Sequence, residues 1–177
     1  MQAIMQAAMH PAAQVEAKPA RDGVSVVVGL GANLGDAKQT VLQTLDSLKA
    51  LSNDGQLRRS SLWRSAPVNA SGPDFINAVA EFNTQLTAPA LLAALQAIEA
   101  QAGRERPYPN APRTLDLDLI FYGQARMQSP TLTLPHPRWA ERAFVLRPLQ
   151  ELNALPPGGK AALSAVAHQL IEQVLSN

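Results

Sequence analysis

The chain has 177 residues, 46% of them apolar and 16% charged, with a formal net charge of +1 and no cysteine. This length suits one domain with a sizeable core. The near-neutral balance gives no reason to expect nucleic-acid or membrane partners, and the missing thiols exclude disulfide scaffolds and thiolate metal sites, which fits a reducing compartment.

Residues 1–22 are rich in Ala, Gln and Met and lack the basic start and continuous apolar centre of a secretory signal. A flexible extension is expected there, with a short helix at Gln2–Met9 that stops before Pro11. Residues 23–177 are then expected to form a single domain. No stretch is long enough to span a bilayer, and a cytoplasmic monomer is expected.

Val24–Leu30 is a β-branched run that reads as a buried strand. The following "GANLGD" reads as a turn, with Asp36 capping a helix over Ala37–Ala50 in which Val41, Leu42, Leu45 and Leu48 recur at helical spacing. Leu57–Trp63 reads as a strand, and "SAPVNASGPD" as a loop. In Phe75–Leu86, Phe75, Asn77, Val79, Glu81 and Asn83 alternate with Ile76, Ala78, Ala80 and Phe82, which predicts a strand with two different faces. Pro89 opens a helix over Ala90–Gly103. "GRERPYPNAPR" is a basic, proline-broken loop. Leu115–Tyr122 is a strand. A Pro-bounded turn around His136 and a helix near Ala143–Glu151 follow, and Lys160–Leu175 is read as a last helix. The order β-α-β-β-α-β with helical additions predicts an α+β, ferredoxin-like core with an antiparallel sheet and its helices on one face.

The run "RTLDLDLIFYG" carries two aspartates in an apolar strand. Side chains alternate along a strand, so Asp116 and Asp118 share one face, while Leu115, Leu117 and Leu119 share the other. Two carboxylates this close repel unless positive charge lies beside them. Magnesium, which takes oxygen ligands from a few carboxylates, water and phosphate, would supply it. A solvent-facing strand with alternate aspartates is the plain alternative. Arg104, Arg106, Arg113, Arg138 and Arg142 and His136 surround the pair in sequence and suit a polyphosphate, which guanidinium groups clamp bidentately; salt bridges to Glu99, Glu105 and Glu141 are the other use for these arginines.

"GLGANLGD" fails the dinucleotide-binding spacing, because Leu34 stands where the third glycine belongs, and no P-loop lysine follows. It reads instead as a strand-to-helix turn that needs glycine. Trp63, Phe75, Trp139 and Phe144 are core residues or, beside a cleft, stacking surfaces for a flat heterocycle. Asn77 is a buried amide that needs partners.

"GLGANLGD", "RTLDLDLIFYG" and "LPHPRWAERAFVLRPLQEL", in that order, resemble the 6-hydroxymethyl-7,8-dihydropterin pyrophosphokinase family of folate biosynthesis, from about Val24 to Glu151. The resemblance implies an ATP-dependent diphosphokinase. It would transfer pyrophosphate from ATP to the pterin hydroxymethyl group and release AMP, with two Mg²⁺ ions held by Asp116 and Asp118. It implies a pterin pocket of Ser65, Ala66, Val68, Phe75, Asn77 and Phe144, with the two phenylalanines sandwiching the ring. Gln96, Arg106, Arg113, His136 and Arg142 fall at or near nucleotide-contacting positions. Arg106 and Arg113 join the aspartates as catalytic residues, and Glu99 supports them. The closure of residues 103–113 over the triphosphate is expected to exclude water. Two departures stand out: Asn110 where the family often has Trp, with Tyr108 nearby, and Pro137 where an aromatic often follows the histidine. Removing either aspartate is expected to abolish transfer and, by relieving repulsion, to stabilise the metal-free chain. A non-catalytic ferredoxin-like binding domain and an Asp-x-Asp sugar-nucleotide transferase are the alternatives; the chain is short for the latter.

Overall fold

A computed structural model describes residues 23–67, 72–103 and 113–175. The expected N-terminal extension and its Gln2–Met9 helix lie outside the described residues. In chain order the elements are β1 (Val24–Ala32), α1 (Ala37–Leu48), β2 (Arg58–Arg59), β3 (Trp63–Ser65), β4 (Phe75–Thr84), α2 (Ala88–Gln101), β5 (Asp116–Tyr122), β6 (Met127–Gln128), β7 (Thr133–Leu134), α3 (Ala143–Glu151), α4 (Gly159–Ala165) and β8 (Ile171–Gln173). The main sheet runs β5-β1-β4-β3-β8, with β2 also paired to β4, and its pairings are antiparallel. This is the expected ferredoxin-like arrangement. Among the described residues, no helix is long and apolar enough to cross a membrane.

Alternation along β1 sends Val26, Val28, Leu30 and Ala32 to one face, where they meet Val41, Leu45 and Leu48 of α1 and Leu91 and Leu95 of α2. The opposite face meets α3: Val27, Val79 and Ile120 pack on Val145 and Leu149. The two core helices thus share a face as expected, and the first helical addition covers part of the other. A bulge lies in β5, where the β1 pairing jumps from Val28↔Leu119 to Val27↔Phe121. The extra residue puts Ile120 and Phe121 together on the α3 side.

The helix starts follow their caps. Asp36 accepts from Gln39 N at 3.0 Å, as the sequence predicts. Thr87 accepts from Ala90 N at 3.4 Å, so α2 begins two residues earlier than its proline suggested, with Pro89 inside the first turn.

Three expectations need correction. The strand Leu57–Trp63 is split into β2 and β3, because the Ser60 hydroxyl accepts from Val79 N at 3.0 Å, a bond a strand carbonyl would otherwise make. The helix Lys160–Leu175 is only α4, followed by β8, which pairs Ile171 with Ser65 and Gln173 with Trp63. The expected strand Val24–Leu30, which holds Gly29, runs on to Ala32, so that Gly31 belongs to β1 rather than to the turn; Gly35, at φ 61°, is the turn glycine.

Candidate active site

The site forms where the α3 face of the sheet is left open. β1 is flanked by β5 and β4, and Gly31 stands opposite both Asp116 and Asn77, while Gly29 stands opposite Asp118 and Val79. These two positions face the site without a side chain. A Cβ on Gly31 would lie 3.3 Å from Asn77 Oδ1 and 3.7 Å from the Phe75 ring, and one on Gly29 would lie 3.3 Å from Ile120 Cδ1. The glycines therefore clear a floor between the aspartate strand and the asparagine strand, a use of glycine that the sequence reading missed.

Each aspartate has an arginine beside it. Arg113 Nη1 lies 3.0 Å from Asp116 Oδ1, and Arg142 Nη1 lies 2.8 Å from Asp118 Oδ2. All four side chains are partly buried, which makes these pairs less screened than surface ones. The Nε atoms of Arg113 and Arg142 are buried and find no hydrogen-bond partner among the described residues, while each guanidinium carries further N–H groups beyond the one that meets its aspartate. Behind the strand, wholly buried Glu99 accepts from Leu117 N at 2.7 Å. That bond fixes the outer edge of β5 between the two aspartates.

His136 is placed by its backbone, since His136 N donates to Ile120 O at 2.9 Å. Its Nδ1 accepts from Arg138 N at 3.1 Å, which leaves the ring proton on Nε2, 3.8 Å from Asp118 Oδ2. Burial holds the imidazole below the ordinary histidine range; Asp118 pulls it back up, and Arg142 and Arg138 push it down.

A cavity of about 220 Å³ opens over the glycine floor, and Ser65, Ala66, Phe75, Asn77 and Phe144 line it together with Arg113, Asp116, Asp118 and Arg142. The Asn77 amide is oriented by its neighbours: Nδ2 donates to Ser65 Oγ at 3.0 Å and to Trp63 O at 3.3 Å. Its carbonyl is thereby turned to the Gly31 side. A second hollow lies beyond β5, lined by Leu92, Thr131, Thr133, Pro137 and His136, and it too reaches Asp118.

Five of the six expected pocket residues are thus brought together; Val68 lies outside the described residues, as do Arg104, Arg106, Tyr108 and Asn110. The expected closure of residues 103–113 falls largely on that same undescribed stretch. Gln96 is exposed on α2 and lines neither hollow. Trp139 stacks edge-on against Phe121 at 5.3 Å, and Trp63 donates to Glu151 at 3.1 Å, so neither serves as a stacking surface in the cavity. Asn33 and Gln169 were not singled out from sequence. Buried Asn33 donates to Pro73 O at 3.1 Å and accepts from Arg113 N at 2.9 Å; an amide at a strand end beside two loops was the available signal.

The aspartate pair suits a hard cation. Both carboxylates line one cavity and are partly exposed, and among the described residues no cluster of three or more His, Asp or Glu forms a closed cage. Such a donor set leaves a magnesium shell open to water and phosphate.

The model of the 7,8-dihydro-6-hydroxymethylpterin-pyrophosphokinase family matches residues 27–154. The chain belongs to this family. It is 40% identical over 151 residues to 2-amino-4-hydroxy-6-hydroxymethyldihydropteridine pyrophosphokinase of Synechocystis sp., covering 84% of this chain and 75% of that protein. The Pseudomonas aeruginosa protein of the same name is 41% identical over 128 residues, covering 72% of this chain and 79% of its own. A crystallised HPPK-DHPS protein in complex with substrates superposes with a TM-score of 0.64 at 10% identity, a likeness of fold that covers 84% of this chain and 44% of that one.

The paired charges reverse one expectation. Replacing an aspartate strands a partly buried guanidinium instead of relieving repulsion. Asp116→Ala and Asp118→Ala should each lose about 1–2 kcal/mol in magnesium-free denaturant melts; a gain in stability would show that the arginines do not compensate the carboxylates. Imidazole NMR should find His136 neutral at pH 7, protonated on Nε2, and titrating below the ordinary value of about 6.5. Because the folded value lies below the unfolded one, its contribution to stability is complete above the unfolded value and drains away as pH falls through the window between them. Titration at or above the ordinary value would contradict the burial seen here.

Proposed function

We propose that this chain transfers a pyrophosphoryl group from ATP to the hydroxymethyl oxygen of 6-hydroxymethyl-7,8-dihydropterin, giving the pterin pyrophosphate and AMP for folate biosynthesis. The observation that carries the reading is the position of Asp118, which reaches both hollows. One hollow has the aromatic walls and fixed amide that suit a flat heterocycle with polar edges; the other has the apolar and hydroxyl lining that suits a nucleotide. A group passed between them would pass Asp118. The family's chemistry also disfavours the non-catalytic binding module considered from sequence.

The reaction forms a bond between the alcohol oxygen and the β-phosphorus, breaks the bond from the β-phosphorus to the bridging oxygen of AMP, and releases the alcohol proton. Asp116 and Asp118 would hold magnesium, two ions in the arrangement implied by the family. Bound there, magnesium neutralises triphosphate charge and polarises the phosphoryl oxygens. The remaining work is positioning and electrostatics. Phe75 and Phe144 hold the pterin ring, and the Asn77 carbonyl accepts from its edge. Arg113 and Arg142 would offer guanidinium N–H groups to phosphate oxygens. Neutral His136 donates from Nε2 to the leaving phosphate. Arg106 joins the nucleotide set by resemblance alone, and Gln96 would need to act from the exposed face of α2.

Release of AMP from ATP, Mg²⁺ and the reduced pterin tests this reading. Wild type should turn over, and Asp116→Ala and Asp118→Ala should each lose more than about a hundredfold in kcat; near-normal activity in either would sink the assignment. Gly31→Ala plants a methyl on the pocket floor. It should raise KM for the pterin about tenfold while leaving KM for ATP within about twofold. Equal effects on both substrates would place the pterin elsewhere.

A further inference from the structure

The helix that carries Arg142 and Phe144 is poorly equipped to hold its own first turn. The N-cap position of α3 is Arg142, which makes no side-chain cap. Pro148, inside the helix, has no N–H to offer the carbonyl of Phe144. One first-turn donor, Ala143 N, is taken by Gln169 Oε1 at 2.9 Å, while Gln169 Nε2 donates to Glu141 O at 2.8 Å. One side-chain amide therefore grips the backbone on both sides of Arg142.

The grip has a firm base. Gln169 lies between α4 and β8, its own N–H donates to Val166 O at 2.9 Å, and Val166 is buried. Two residues on, Ile171 pairs with Ser65, whose hydroxyl accepts from the Asn77 amide. What the grip holds is the site itself: Arg142 reaches Asp118 at 2.8 Å, and its guanidinium carbon lies 5.4 Å from the centre of the Phe144 ring.

We propose that Gln169 is a positioning residue for the transfer reaction, capping α3 from outside the helix so that Phe144 closes the pterin pocket and Arg142 faces the aspartate pair. The proposal rests on the pyrophosphokinase reading above. Gln169 also lines the cavity, but both ends of its amide are bonded to the backbone of residues 141–143, and it acts through that backbone rather than through the reacting atoms.

The test compares wild type with Gln169→Leu, which loses both bonds, and Gln169→Glu, which keeps the acceptor for Ala143 but sets a carboxylate against the Glu141 carbonyl. Leu170→Ala, at a side chain 88% exposed, is the control on the same segment. Binding of the reduced pterin is measured with Mg²⁺ and an α,β-methylene ATP analogue, well below each melting temperature. Gln169→Leu should weaken pterin binding about tenfold, Gln169→Glu by less, and Leu170→Ala not at all. A Gln169→Leu protein that melts lower yet binds pterin like wild type would reduce Gln169 to scaffolding and overturn the proposal. If that variant does not fold, Gln169→Glu decides by the same comparison. Failure of wild type itself to bind the pterin would instead defeat the reading beneath the proposal.

Discussion

Two carboxylates on one face of one strand require positive charge close by, and much of the site is arranged around that requirement. Arg113 approaches from the chain entering β5, and Arg142 from the start of α3 on the opposite layer. The two arginines come from separate parts of the chain, so the aspartate pair ties the entry to the edge strand and the covering helix to one point. Each guanidinium has five N–H groups, more than one carboxylate contact uses. The arginines thus supply, from within the protein, the positive charge that the two carboxylates require.

The rest of the architecture serves to keep that point accessible. The face of the sheet opposite α1 and α2 is closed by α3 over only part of its area. Where α3 stops, the strand beneath carries Gly29 and Gly31, where a Cβ would press on Ile120 or on Asn77. Asn77 and Ser65 then form a polar wall on one side and the aspartates a charged wall on the other. Burial and reactivity are separated by strand parity: odd positions of β5 before the bulge build the core, and even positions build the site.

Much of this was legible in the residues. Alternation in "LDLDL" assigns both aspartates to one face, Asp36 marks the first helix, and the family resemblance singles out Phe75 and Phe144, which line one cavity. What the residues hid depends on partners distant in sequence. Neither aspartate announces which arginine it meets, because Arg142 lies on another layer. The Ser60 hydroxyl interrupts a strand by competing with a backbone acceptor, and no periodicity reports that. The C-terminal segment has apolar residues that satisfy a helical pattern as well as a short strand. The free edge of β3 decides in favour of the strand. Gly31 looked like part of a turn because its neighbours did; the use of both β1 glycines lies in the strands on either side.

The bulge at Ile120 has a further implication for how β5 is divided. Upstream of it the strand presents the two aspartates to the cavity; downstream, the same face presents anchors for α3. One inserted residue lets the two duties keep separate phases, as a half-step lets a screw thread resume out of line. Individual side chains in either half can change without disturbing the other half's alignment. The loss of a single residue from the strand would force a choice between a properly seated helix and properly aimed acids.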